Sequence, residues 1–365
     1  MLKANKNLIF LTAGGTGGHI YPAEALADEL LNRKYQLSFV TDKRGLQNYK
    51  GKLKDISNYN VLSGSVIGKS KIHKICSLIK VAFGVLQSMA ILLSKRPAAV
   101  VGFGGYASFP CCVAAILLRI PLIIHEQNSV VSRTNRILGK YAKVIAQSFR
   151  NVKNTPKGVK SVLTGMPVRQ AILDIKDNKL PDLENNKFTI LVIGGSQGAK
   201  VFSDIIPDTI NQLDEKLQSN IKIYQQCREA DLAETKEKYK SSKAEITLNS
   251  FFNNMPELYS NSHIVITRAG ASSTYELTAI GKASILVPLP IAADNHQYYN
   301  AKEVSDEKAA YLLEQKNFTV ENLSEIIIKL SSDYNEIEKI SKNAKKIGII
   351  DASKRLADTV LDEIK

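Results

Sequence analysis

Leu8-Ile9-Phe10-Leu11-Thr12-Ala13 runs into Gly14-Gly15-Thr16-Gly17-Gly18-His19, and the pattern returns as Phe188-Thr189-Ile190-Leu191-Val192-Ile193 before Gly194-Gly195-Ser196-Gln197-Gly198-Ala199. Each copy reads as a buried strand, a turn with almost no side chains, and a helix start. Backbone N–H groups at such a start can hold a phosphate or another anion. Two copies in one chain imply two nucleotide-type domains.

Working outward, strands are predicted near 8–13, 37–41, 98–102, 121–125 and 143–147, and again near 188–193, 221–226, 245–249, 263–267 and 284–288. Helical stretches separate them. This alternation means an α/β chain with parallel sheets covered by helices on both faces. Ligands then sit beyond the carboxyl ends of the strands. A chain of 365 residues is long for one domain and comfortable for two. Gly165 and Pro167 interrupt the periodicity, which puts the boundary near 163–169 and gives domains of 1–165 and 166–344.

Charge is unevenly divided. Residues 1–165 hold 24 Lys and Arg against 6 Asp and Glu, and residues 166–365 hold 25 against 29. No acidic residue occurs between Asp55 and Glu126. The basic field of the first half suits an anionic membrane face or nucleic acid. Sparse aromatics and the lack of an RNA-binding signature disfavour nucleic acid. Within the basic zone, Ile72, Ile75, Ile79, Phe83, Leu86, Ala90 and Leu93 recur at helical spacing among Lys69, Lys71, Lys74, Lys80, Lys95 and Arg96. The apolar part from Val81 to Leu93 is read as too short to span a bilayer, and Gln87 interrupts it. A core helix accounts for most of these residues, with an exposed end touching lipid through Ile75, Ile79, Phe83, Lys74 and Lys80. Cys76, Cys111, Cys112 and Cys227 match no zinc spacing and are expected as buried thiols in a reducing compartment. The first apolar run is too short for a signal peptide, so the chain is expected in the cytoplasm.

Candidate chemistry gathers at the predicted strand ends. The first turn is not a proper G-x-G-x-x-G, so NAD binding is disfavoured although Asp42 follows the second strand. His19 stands at a helix head and can take a proton from a hydroxyl, its ordinary pKa being about 6.5. A structural histidine bonded to nearby backbone is the equal alternative. A third turn, Gly102-Phe103-Gly104-Gly105-Tyr106, serves either a phosphate or tight strand–helix packing. His125-Glu126-Gln127-Asn128 loads a strand end with polar groups, and Glu126 is a second candidate base or a partner that orients a histidine. In the second half, Arg268-Ala269-Gly270-Ala271-Ser272-Ser273-Thr274-Tyr275-Glu276 allows close approach of phosphate, with Glu276 placed for ribose hydroxyls. Ala292-Ala293-Asp294-Asn295-His296-Gln297 offers groups suited to a sugar. No D-x-D is seen for a metal-bound diphosphate, and Arg169, Arg268 and the helix starts could do that work.

These motifs, in this order over essentially the whole chain, resemble the MurG family of bacterial peptidoglycan N-acetylglucosaminyltransferases. They are G-G-T-G-G-H-I-Y-P at 14–22, G-F-G-G-Y at 102–106, H-E-Q-N at 125–128, T-G-M-P-V-R at 164–169, G-G-S-Q-G-A at 194–199, R-A-G-A-S-S-T-Y-E at 268–276 and A-A-D-N-H-Q at 292–297. The resemblance implies a GT-B fold of two Rossmann-like domains facing a cleft, with a last helix near 345–365 returning to the first. It implies UDP-N-acetylglucosamine as donor and undecaprenyl-diphosphate-linked N-acetylmuramoyl-pentapeptide as acceptor, on the cytoplasmic face of the plasma membrane. It implies inverting transfer without metal or cofactor. Donor contacts would fall on Thr16, Gly17, Gly18, Asn128, Arg169, Ser196, Phe252, Ala271, Ser272, Ser273, Thr274, Tyr275, Glu276 and Gln297. Acceptor contacts would fall on Gly17, Gly18, Gly104, Gly105 and Tyr106, with His19 or Glu126 as the base. Ser273 stands where the family more often has Thr, with a hydroxyl retained. A 2-epimerase, a glycolipid synthase, a non-catalytic UDP-sugar-binding membrane protein and an NAD-dependent oxidoreductase are the rivals.

Overall fold

The computed structural model describes residues 5–14, 17–48, 51–64, 71–183, 187–195 and 199–365. The chain divides into two compact units, one of Met1–Arg169 with Ile350–Lys365, the other of Gln170–Ile349.

The first unit holds strands β1 (Asn5–Thr12), β2 (Gln36–Thr41), β3 (Ser57–Asn60), β4 (Pro97–Gly102), β5 (Leu122–Glu126), β6 (Val144–Gln147) and β7 (Lys160–Leu163). They form one sheet in the order β3-β2-β1-β4-β5-β6-β7, with parallel pairing throughout. Side chains alternate across β1, as pleating requires. Ile9 and Leu11 pack with Ala23, Leu26 and Leu30 of the Gly17–Asn32 helix and with Leu356, Ala357 and Val360 of the Ala352–Asp362 helix. Leu8 and Phe10 pack on the other face with Val100, Cys111, Cys112 and Ala114. Ion pairs Arg33–Asp358 and Lys160–Glu363 fasten the final helix at its exposed edge.

The second unit holds β8 (Phe188–Ile193), β9 (Ile221–Gln226), β10 (Glu245–Asn249), β11 (Ile264–Thr267), β12 (Ser284–Leu286) and β13 (Tyr311–Leu312). Their order is β10-β9-β8-β11-β12-β13, again parallel. Phe188, Ile190 and Val192 meet Phe202, Ile206 and Ile210 of the Lys200–Gln212 helix. Both units thus share one order, in which the chain reverses direction across the sheet beside β1 and beside β8. Such a switch point leaves a crevice at the strands' carboxyl ends. The first and third glycine turns follow β1 and β4, and the second follows β8.

Two expectations need correction. The apolar segment in the basic zone belongs to a longer helix, Lys71–Lys95, and its His73–Lys95 part is long and apolar enough by composition to cross a membrane. It is not mainly a core helix, because just 22% of its most apolar window is buried. Ser77, Gly84, Ser88 and Leu92 form the covered side, while Ile75, Leu78, Ile79, Phe83, Leu86 and Leu93 are exposed. The small residues explain this. A Cβ on Gly84 would fall 1.8 Å from the Leu62 carbonyl oxygen and 3.2 Å from Cβ of Pro110 in the Phe109–Leu117 helix, so the small residues allow a close approach on this side. The second correction concerns Cys76, which lies exposed on the same helix, whereas Cys111, Cys112 and Cys227 are buried thiols. Burial raises the Cys111 thiol well above its ordinary range and pushes Cys112 up to about 12.

Candidate active site

In the first unit the turns after β1 and β4 are built against each other. Gly14 N–H donates to the Gly104 carbonyl at 3.0 Å, and Phe103 N–H donates to the Thr12 carbonyl at 2.8 Å. Gly104 and Gly105 have φ of 83° and 78°, a region that glycine enters at little cost. His19, one turn into the Gly17–Asn32 helix, lies over this pair. A Cβ on Gly104 would stand 3.5 Å from His19 Cδ2, and one on Gly105 would stand 3.6 Å from His19 Nδ1. Burial lowers the imidazole pKa to about 4, so the ring is neutral at pH 7 and able to accept a proton. Gly18 beside it faces open space. Gly17 begins the helix, and Thr16 lies outside the described residues.

Glu126 ends β5 and is fully buried. Its Oε1 accepts from Asn128 N–H at 3.0 Å, and its Oε2 accepts from Ser132 N–H at 2.9 Å and from Asn135 Nδ2 at 2.8 Å. Desolvation raises its pKa, and those N–H donors pull the other way. Both oxygens are committed, and Glu126 holds the 127–132 loop and the start of the Arg133–Gly139 helix. Asn135, absent from the sequence reading, joins that carboxylate to the glycine turn: a Cβ on Gly104 would lie 3.6 Å from Asn135 Nδ2. Gln127 is also tied to this turn, donating to the Phe103 carbonyl at 2.7 Å. The clue to Asn135 is modest, a second amide nine residues after Glu126 behind Ser132, whose hydroxyl caps the Arg133–Gly139 helix.

Tyr106 is half-buried, with the Arg44 guanidinium 5.7 Å from its ring centre. Asp42 is not placed as a ribose-binding acid. Its carboxylate accepts from Gly45 N–H at 2.9 Å and from the Ser63 hydroxyl at 3.3 Å, and only 7% of the residue is exposed. Asn128 is half-buried, and Arg169 stacks its guanidinium 5.3 Å from the Tyr21 ring centre.

In the second unit Gly195, with φ of 80°, continues the chain beyond β8, while Ser196, Gln197 and Gly198 lie outside the described residues. Gly270 caps the Ala271–Ile280 helix without a side-chain hydrogen bond, and nothing lies within 4 Å of a Cβ built on it. The first N–H groups of that helix therefore lack a side-chain cap, which is what an anion site requires. Ser272 and Ser273 are half-buried in the first turn, and Ala271 and Tyr275 are buried. The Thr274 hydroxyl donates back to the Gly270 carbonyl at 2.9 Å, and Glu276 accepts from the Tyr259 hydroxyl at 3.1 Å. Gln297 Oε1 accepts from Leu289 N–H at 3.0 Å, which pins the loop after β12. Phe252 is buried, edge-on to Tyr224 at 6.4 Å between ring centres. Arg268 is tied down: it donates to the carbonyls of Val287 and Pro288 at 3.3 Å each and to Gln315 Oε1 at 2.7 Å. Of the two arginines considered for a diphosphate, Arg268 thus braces the β12 loop.

Residues 9–147 match the glycosyltransferase family 28 N-terminal domain, and residues 189–356 match its C-terminal domain. The chain is 42% identical over 363 residues to the UDP-N-acetylglucosamine--N-acetylmuramyl-(pentapeptide) pyrophosphoryl-undecaprenol N-acetylglucosamine transferase of Paramagnetospirillum magneticum, covering 99% of this chain and 98% of that one. It is 42% identical over 345 residues to the protein of the same name from Rickettsia bellii, covering 93% and 94%. Its fold matches the crystal structure of Acinetobacter baumannii MurG with a TM-score of 0.77 at 30% identity, covering 97% and 99%. With a GT-B-like pair of parallel-sheet units and this full-length likeness, the chain belongs to the MurG family of family 28 glycosyltransferases.

Proposed function

We propose that this chain transfers N-acetylglucosamine from UDP-N-acetylglucosamine to the 4-hydroxyl of undecaprenyl-diphosphate-linked N-acetylmuramoyl-pentapeptide, with inversion at C1. One observation carries the reading: a neutral His19 lies against the Gly104–Gly105 turn, in a chain 42% identical over 363 residues to a relative named for that transfer. The acceptor's diphosphate occupies the Gly17-Gly18 and Gly104-Gly105 turns beside Tyr106. Its negative charge raises the His19 pKa from about 4 toward neutrality, which strengthens the base when substrate is present. His19 takes the proton of the 4-hydroxyl, the hydroxyl oxygen bonds to C1, and the bond from C1 to the UDP oxygen breaks. UDP leaves with the electron pair, and His19 keeps the proton until solvent removes it.

The donor is read onto Ala271 through Glu276, Phe252, Gln297 and Ser196, and Asn128, Thr16 and Arg169 are further candidate donor contacts. The helix starts after Gly195 and Gly270 meet the developing diphosphate charge. Glu126 and Asn135 are positioning residues that hold the turn on which acceptor and base meet. The exposed side of Lys71–Lys95, through Ile75, Ile79 and Phe83 with Lys74 and Lys80, rests on the anionic cytoplasmic face of the membrane, where a polyprenyl substrate resides.

The test offers radiolabelled UDP-N-acetylglucosamine with the polyprenyl-diphosphate muramoyl acceptor. A labelled disaccharide-lipid is expected. Epimerised sugar, or no lipid-borne label with an intact acceptor, overturns the reading.

A further inference from the structure

The second unit has a cavity of about 490 Å³, within the range of small-molecule sites. Lys282 precedes β12, and Ser262 and His263 precede β11, so the cavity lies at the amino ends of the strands. The glycine turns lie at the opposite, carboxyl ends. Its walls include Ile175, Leu180 and Tyr259.

Two groups at this cavity, Lys282 and Ser341, lack what their chemistry asks for. Lys282 is 5% exposed, and its ammonium donates to the Ser262 carbonyl at 2.6 Å. Lys345 lies beside it: its stem crosses Gly281, where a Cβ would fall 2.2 Å from Lys345 Cγ. Ser341, also 5% exposed, has a hydroxyl with no hydrogen-bond partner. The other charges around Lys282 are His263, Asp177, Lys179, Asp182, Glu338 and Lys342. Lys342 is paired with Glu338 at 3.4 Å and Asp177 with Lys176 at 2.6 Å. Among the described residues, neither Lys282 nor Lys345 forms an ion pair. Burial and then Lys345 lower the Lys282 pKa to about 7. A buried cation without a counter-charge is costly, and an oxyanion removes that cost while satisfying the serine.

We propose that this cavity binds a small amphiphilic anion, its oxyanion head held by Lys282, Lys345 and Ser341 and its apolar body by Ile175, Leu180 and Tyr259. The site is independent of sugar transfer.

Calorimetric titration with benzenesulfonate, which stays ionised throughout, tests this against inorganic sulfate and benzyl alcohol. Saturable binding is expected at pH 6.5, at least tenfold tighter than either comparison compound. With a pKa of about 7, Lys282 is mostly charged there. Above pH 7 binding must take up its proton, so affinity falls by up to tenfold per pH unit. Lys282→Met is expected to weaken binding at least tenfold and abolish the pH dependence, with UDP-sugar binding unchanged. Lys345→Met, at an exposed position, weakens binding about threefold and keeps the test open if the first variant fails to fold. Equal binding of all three compounds, pH-independent binding, or full affinity in Lys345→Met would overturn the proposal.

Discussion

Gly14 and Gly105 stand back to back: a Cβ on Gly105 would fall 2.9 Å from the Gly14 Cα. Gly14 and the turn after β4 are therefore packed together, and the packing reading of the third glycine turn holds whether or not it also binds phosphate. Gly105→Ala adds a methyl group to a left-handed residue and into this contact. The left-handed conformation alone costs roughly 1–2 kcal/mol, so a loss of about 2 kcal/mol or more is expected from urea unfolding midpoints. Unchanged stability would show that the turn can relax.

Glu126→Gln separates positioning from proton transfer. The carboxylate accepts four N–H bonds, and an amide presents a donor to at least one of them. A stability loss of about 1–3 kcal/mol is expected. Turnover should fall while the pH midpoint of kcat/KM stays in place. A shifted or missing acidic limb would instead make Glu126 the base.

Acid should weaken the fold through buried histidines. His125 and His263 are fully buried, and desolvation lowers each pKa to about 4. His263 Nδ1 accepts from Thr189 N–H at 2.9 Å, a bond that a proton on that nitrogen would break. Folded values lie below unfolded ones, so the unfolded chain binds more protons between about pH 4 and 6.5. The stability is full above pH 6.5 and is lost as pH falls toward 4, by up to about 1.4 kcal/mol per pH unit for each histidine. His263→Asn keeps an acceptor near Nδ1 and should reduce the slope by one proton. Urea titrations at several pH values measure it.

The exposed side of the Lys71–Lys95 helix gives a separate prediction. Ile79 and Phe83 are 52% and 57% exposed, so replacing both with Ser should cost the fold little. Vesicles rich in anionic lipid should bind the double variant at least tenfold more weakly, since each apolar side chain buried in lipid contributes about 1 kcal/mol or more. Turnover on a short-chain soluble acceptor should survive. Equal vesicle binding would place the membrane contact elsewhere.

How much could be read beforehand follows from what each element buries. β1 and β8 carry the apolar runs Leu8–Leu11 and Ile190–Ile193 shortly before glycine, because a strand covered on both faces and followed by a tight turn has few other solutions. β3, with its sequence Ser57-Asn58-Tyr59-Asn60, and β7, with Lys160-Ser161-Val162-Leu163, went unread because they are edge strands with little buried surface. β13 has two residues and no period at all. Helical spacing located the Lys71–Lys95 stripe but assigned it to the core, since periodicity shows that a face is apolar and not what covers it. At the site, His19 and Glu126 were visible as polar residues beside turns. Asn135 was not, because its role comes from a contact across the turn with Glu126, which spacing does not encode.

The most direct test of the account follows the transferred carbon. UDP-N-acetylglucosamine labelled with carbon-13 at C1 is incubated with the polyprenyl-diphosphate muramoyl acceptor, and the product is read by NMR. The account expects a β-configured C1 joined to the acceptor's 4-oxygen, formed at least a hundredfold more slowly by His19→Ala with UDP-sugar affinity unchanged. An α-linked product, label found only in an epimerised nucleotide sugar, or full turnover by His19→Ala would contradict it.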